Sequence, residues 1–270
     1  MLWSNHQIKH LRLAFALGLS VIVGIPAVYA QELLPRAVSA MTDSSLQFRA
    51  PDMTDRGRPG DRNGGGSRGP CPIDPRALYA LTPEDGRGLT MSDSPSFWFR
   101  VPYQSGEYDA LKFQLKRIWN NGKREDLVYE KMIPAAEVPV GIISVALPVT
   151  ASLQLEPTYY EWSLAAYCND SNDANAEPTE AAVVFGSIVK VKPTPELQQA
   201  LKTAPTDRDR VRIYAENGLW YDSLTLLGNL NRNSLNQPEL LGDWQALLQS
   251  VKLGSIATEP LVACCNLAQN

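Results

Sequence analysis

Histidine is almost missing from this chain. Only His6 and His10 occur in 270 residues, and both lie ahead of an uncharged apolar run from Leu13 to Val28. Lys9 and Arg12 precede that run, and Val28-Tyr29-Ala30 closes it with the small-residue pattern of a secretory cleavage site. Residues 1–30 therefore read as a signal peptide, whose removal takes both imidazoles with it. The expected product has no histidine, which excludes Ser-His triads, imidazole bases and His-ligated metals together. The rival reading is a retained anchor, because a run of about 16 residues falls between signal-peptide and membrane-span lengths. After Ala30 no run is long and apolar enough to span a bilayer, so an exported protein of the periplasm or cell surface, without a span after cleavage, is expected.

Concentrated positive charge is missing too. The formal net charge of -4 becomes -6 once Lys9 and Arg12 are removed, and the remaining basic residues are scattered. Nucleic-acid binding, which needs a basic face, is not expected. Gly64-Gly65-Gly66-Ser67-Arg68-Gly69 fits the GxGxxG spacing, yet no strand precedes it, no helix follows it, and no Lys-Ser or Lys-Thr completes a phosphate loop. A flexible tether is the better reading, and no cofactor is expected. The four cysteines include no CxxC pair, so neither a zinc knuckle nor any other metal site is expected.

Those cysteines are Cys71, Cys168, Cys264 and Cys265. An even count in an exported chain reads as two disulfides with three possible connectivities. A bond between adjacent Cys264 and Cys265 would be strained. Each is therefore expected to take a distant partner, Cys71 or Cys168, tying the 259–270 tail back to the middle of the chain.

Residues 31–70 read as an unstructured Gly/Arg/Pro-rich linker, since Arg56 to Gly69 offer no apolar side chain larger than proline. Residues 71–192 then alternate with period two. Leu111, Phe113 and Leu115 interleave with Lys112, Gln114 and Lys116, and Asn121-Gly122 before Leu127-Val128-Tyr129 is a hairpin signal. Ile143, Val145 and Leu147 form another run, as do Tyr160, Trp162, Leu164, Ala166 and Cys168. Val183, Phe185, Val189 and Val191 form the last. This predicts a mainly β fold with an immunoglobulin-like or fibronectin-like β-sandwich. Beyond Lys192 the period becomes helical, giving a small helical domain over 193–258. Thr194-Pro195 and Thr206 with Asp209 mark two helix starts, Asn217-Gly218 a stop, and Pro238 a last start.

Two resemblances follow. Tyr214-x-x-x-Gly218-x-Trp220, with Ser223 at a small-residue position, resembles the helix–turn–helix core of one tetratricopeptide repeat. A second covers roughly residues 59–265. It rests on Gly64–Cys71, Leu81-Thr82-Pro83 with Gly88-Leu89-Thr90, Pro95–Phe99 with Val101-Pro102-Tyr103, Gly141-Ile142-Ile143 with Leu147-Pro148, Tyr160-x-Trp162, and Tyr214–Asp222, in that order. This order resembles the exported cyanobacterial family called domain of unknown function 928. The resemblance implies export and carries no activity to transfer. The family pattern has Gly-Trp and a closing Arg in its last strand, where this chain has Gly186-Ser187 and Lys190. A site that used that Trp or Arg is lost here.

The candidate binding residues are aromatic. Trp98 and Arg100 share one face of a strand, opposite Phe97 and Phe99, and with Tyr103 they offer a platform for a sugar or a partner side chain. Packing in the core, with a snorkelling arginine, explains the same pattern. Trp220, Tyr221 and Asp222 form a second cluster. On a helix, Trp220 faces inward with Leu224, and Tyr221 and Asp222 turn away to dock on the β domain or to meet a partner. Asp170, Asn172 and Asp173 lie in an acidic loop that fails the EF-hand pattern and reads as solvated. Glu107, Asp109, Glu161, Asp222 and Asp243 are the carboxylates a histidine-free hydrolase would need, but no spacing pairs them and no catalytic residue is assigned. The expected function is a non-catalytic envelope protein that binds another envelope protein. A glycan-binding module is the alternative, followed by a carboxylate-dependent hydrolase.

Overall fold

Alternating runs become strands where the spacing predicts them, and the structure adds partners that the sequence hides. It is a computed structural model describing residues 45–66, 71–119, 122, 124–155, 159–169, 177–233 and 237–265. The expected signal peptide and most of the acidic loop after Asn169 lie outside the described residues. The strands are β1 (Asp61–Gly65), β2 (Tyr79–Ala80), β3 (Arg87–Thr90), β4 (Ser96–Val101), β5 (Ala110–Trp119), β6 (Arg124–Pro134), β7 (Gly141–Ala146), β8 (Tyr159–Cys168) and β9 (Thr179–Lys190). Four helices follow: α1 (Pro195–Thr203), α2 (Asp207–Glu216), α3 (Trp220–Asn233) and α4 (Pro238–Ser250). The chain is mainly β with a helical C-terminal segment, as its two periods predict. None of the described helices is long and apolar enough to cross a membrane.

The strands join in one curled sheet, ordered β6-β5-β8-β9-β1-β2-β4-β7, with β3 pairing β9 in parallel. Where an immunoglobulin-like layout keeps two sheets apart, β1 here pairs with both β9 and β2 and makes the path continuous. The curl brings β4 over β5 and β8. The Phe97 ring lies 5.0 Å from Phe113, and the Phe99 ring lies 5.7 Å from Trp162. Register alternation puts Leu111, Phe113 and Leu115 of β5 and Trp162 and Leu164 of β8 into the same interior.

The helices close over the other face of β4. Trp98 packs 5.8 Å from Trp244 of α4, and its indole N–H donates to Thr225 of α3 at 3.2 Å. One hydrophobic core therefore runs from strands into helices, and the segments read as a β domain and a helical domain form one compact unit. Local signals set the helix ends. Thr194 accepts from the Leu197 N–H, Thr206 and Asp209 form a reciprocal capping box, and Gly218 turns the chain between α2 and α3 at φ +74°.

The expected linker is corrected for residues 45–66. Leu46 and Met53 are buried, Phe48 meets the Trp220 ring edge-on at 5.0 Å, and the Arg49 N–H donates to the Ala215 carbonyl at 3.0 Å. β1 adds the buried Arg62, whose guanidinium donates to the carbonyls of Thr82 at 3.0 Å and Val251 at 2.6 Å. Low apolar content did not leave this stretch loose because its backbone completes the sheet.

The cysteine pairing is also corrected. Cys71 bonds Cys168 across 5.7 Å between Cα atoms, and Cys264 bonds its neighbour Cys265. The reason is placement. The Leu261 backbone pairs with Ile142 on β7, at one end of the strand order, and Cys168 ends β8 near the other.

Candidate functional site

Four of the six predicted binding residues are core residues. Trp98, Tyr103, Trp220 and Tyr221 are each no more than 4 % exposed, so none offers a platform to a ligand from solvent. Of the two readings of this pattern, the structure has core packing and not the aromatic platform. The physical reason is that β4 is covered twice, by β5 and β8 on the Phe97 face and by α3 and α4 on the Trp98 face. Tyr103 donates its hydroxyl to the Asp74 carbonyl at 2.8 Å. Arg100 pairs with Glu259 through Nε and Nη2, at 3.1 and 3.0 Å, and gives Nη1 to the Ala77 carbonyl at 2.8 Å. Its positive charge is spent within the fold.

The second cluster pins α3 to the sheet. Trp220 donates its indole N–H to the Leu81 carbonyl at 2.8 Å. Tyr221, expected to turn away from Trp220 and dock on the β domain or meet a partner, inserts beside Phe97 with ring centroids 5.5 Å apart and accepts the Trp162 indole N–H at 2.7 Å. Burial pushes the Tyr221 phenol well above its ordinary value. The helix has two buried faces rather than one, which a single amphipathic stripe does not announce.

Of the six, Asp222 and the buried Tyr221 beside it line a pocket of about 220 Å³ between α3 and the β3–β4 connection. Thr90, Ser92, Ser94, Ser96 and Thr225 give it a hydroxyl-rich wall. The carboxylate accepts the Met91 N–H at 3.1 Å. Burial pushes its carboxyl up to about 6, against the opposing effect of the N–H and hydroxyl groups it accepts from Met91, Thr90 and Ser92. This is a lone carboxylate holding a loop. Elsewhere Asp243 takes two N–H groups from Arg208, Glu161 faces Arg58 at 3.6 Å, and Glu107 and Asp109 cap the N–H groups of Gln104 and Asn169. Asp222 is the sole carboxylate lining its pocket, so the two-carboxylate geometry of glycoside hydrolysis is not assembled there. Among the described residues no three His, Cys, Asp or Glu side chains converge as metal ligands.

The sheet edges differ from each other, a feature no motif signals. The outer edge of β7 is covered by its own chain: the Ile142 N–H donates to Pro260 at 2.8 Å and the Val262 N–H to Ile142 at 2.9 Å. β6, at the opposite end, pairs with β5 on one side and with no strand on the other among the described residues. It is 11 residues long, and Leu127 and Met132 stand 57 % and 45 % exposed on it. Arg124, Glu125, Asp126, Glu130 and Lys131 flank them, the charge pattern that keeps an open edge from pairing indiscriminately.

Comparison with known proteins places this architecture. No curated protein matches the chain. A family profile does, over residues 63–261, from β1 through the segment covering β7. The match takes in the sheet, the helices and the Asp222 pocket together, and the chain belongs to the family described as Domain of Unknown Function (DUF928).

Proposed function

We propose that this chain is an exported, non-catalytic protein of the cell envelope that binds another envelope protein by taking one of its strands along β6. The observation that carries this reading is the asymmetry of the sheet, with β7 covered by the chain itself and β6 left open among the described residues. An extended partner segment gains main-chain hydrogen bonds along such an edge, and alternate side chains give it specificity. Leu127 and Met132 supply apolar contact, and the flanking charges select the partner. The leader-like first thirty residues and the even cysteine count support an oxidising, exported setting. A binding role fits a pocket carboxylate that is lone and spent on holding a loop better than hydrolysis does.

The test is affinity capture from cross-linked native envelopes with the tagged chain. A Leu127→Lys, Met132→Lys variant and an Asp222→Asn variant, both confirmed as folded, run beside it. One protein retained by the parent and by Asp222→Asn, and lost with the double variant, is the expected result. Retention of the same protein by the double variant overturns strand addition. Recovery of polysaccharide alone returns the glycan reading.

A further inference from the structure

Arg232, Trp98 and Trp244 form a stack at the end of α3 that strand addition on β6 does not use. The Arg232 guanidinium lies over the Trp98 ring, 4.2 Å from its centroid, and donates Nη1 to the Ser144 hydroxyl at 2.7 Å. Its Nε and Nη2, and Nε1 of Trp244, are closed off from solvent and find no acceptor among the described residues. Trp244 is only 1 % exposed. Buried donors without acceptors are costly and rare, and one such cluster calls for an explanation.

Both residues line a pocket of about 630 Å³ between α3, α4 and residues 257–263. That volume is in the range of small-molecule sites. Leu241, Pro260 and Leu261 contribute apolar wall. The polar groups already paired do not compete. Glu259 is committed to Arg100, and the Asn231 amide donates to the carbonyls of Leu227 and Leu240 at 3.0 and 3.1 Å. The three unmet positions are all donors, and two of them belong to a cation. An occupant must therefore accept hydrogen bonds, carry negative charge and present an apolar body.

We propose that this pocket binds a small aliphatic carboxylate, with its chain against Leu241, Pro260 and Leu261 and its carboxylate on the Arg232 guanidinium. The donors are screened from solvent, so binding includes a turn of the guanidinium toward the ligand. A planar fork meeting a carboxylate supplies the paired, charge-assisted hydrogen bonds that Ser144 alone does not. An alcohol of the same length offers no charge, and an ammonium meets a cation.

Calorimetric titration of the folded chain with decanoate, decan-1-ol and decylammonium tests this. Decanoate is expected to bind once per chain, about tenfold or more tighter than decanol, as loss of a charge-assisted hydrogen bond entails. Arg232→Met keeps much of the side-chain bulk against Trp98 and is expected to abolish the preference for decanoate while leaving decanol unchanged. No decanoate binding, equal binding of acid and alcohol, or an unaltered preference in Arg232→Met overturns the proposal. Should that variant fail to fold, Leu241→Glu serves, because Leu241 is exposed and its change places a like charge in the path of the chain. Decanoate binding unaffected by Leu241→Glu likewise overturns it.

Discussion

The indole N–H of Trp162 donates to the Tyr221 hydroxyl at 2.7 Å, and through that bond β8 holds α3. Both side chains are buried, so neither group has water as a substitute. Tyr221→Phe keeps the ring against Phe97 and removes only the acceptor, leaving a buried N–H unpaired. Urea unfolding should show a loss of about 1–3 kcal/mol. The Tyr221 hydroxyl stands 3.5 Å from the Ser187 carbonyl, too far to add much, so a loss near zero would mean the Trp162 N–H finds another acceptor.

Asp222 gives the fold an unusual pH response. Its folded carboxyl is raised to about 6 from an ordinary 3.8, so the folded state holds the proton more tightly than the unfolded chain does. The stability this confers is present below about pH 4 and is lost as pH rises through about 6. At roughly 1.4 kcal/mol per unit, the stability of the parent relative to Asp222→Asn should fall by about 2–3 kcal/mol between pH 4 and pH 7. Exposed acids with lowered values, such as Asp52 and Asp126, slope the other way in both proteins and cancel in that difference. Parallel stability curves for the two proteins across this range would place the Asp222 titration elsewhere.

The two disulfides should behave as different objects. Cys71 and Cys168 are 97 residues apart, and on the chain-entropy account a loop of that size is worth about 4–5 kcal/mol. Cys264 and Cys265 close no loop, so their bond constrains the unfolded chain hardly at all. Changing Cys71 and Cys168 to Ser should lower the melting temperature by many degrees, and the same change at Cys264 and Cys265 should leave it nearly unmoved. Peptide mapping of the unreduced protein gives the direct check, because a 71–264 or 168–265 linkage would restore the pairing expected from sequence.

What was legible in the sequence was what is local. Period-two runs placed β5, β7, β8 and β9, and Thr194, Thr206 and Gly218 placed helix ends, because each depends on neighbours a few residues away. What was not legible depends on partners far along the chain. Arg62 sits in a stretch that reads as a tether, yet it bonds a carbonyl 189 residues on. Trp98 on an alternating strand reads as surface platform or core alike, and only helices more than 100 residues later decide for the core. The resemblance to the family was carried by motifs that the structure puts to structural use, with Tyr160, Trp162, Trp220 and Tyr221 all in the core. That is why those motifs located the fold without disclosing a site.

Two glycines on neighbouring helices should answer the same substitution with opposite signs. Gly242 on α4 is exposed, and a Cβ built there meets nothing within 4 Å. Gly242→Ala should therefore stabilise the protein by up to about 1 kcal/mol, the helix-propensity difference between the residues. Gly228 on α3 carries the same propensity gain, but its Cβ would lie 2.3 Å from the Trp98 ring. That ring cannot retreat, since Trp244 backs it and its N–H is tied to Thr225. The overpacking cost of about 1–3 kcal/mol or more then exceeds the gain, and Gly228→Ala should be destabilised in urea unfolding with disturbed near-ultraviolet tryptophan dichroism. Equal stabilisation by both changes would show that α3 lies farther from β4 than the Trp98 contact requires.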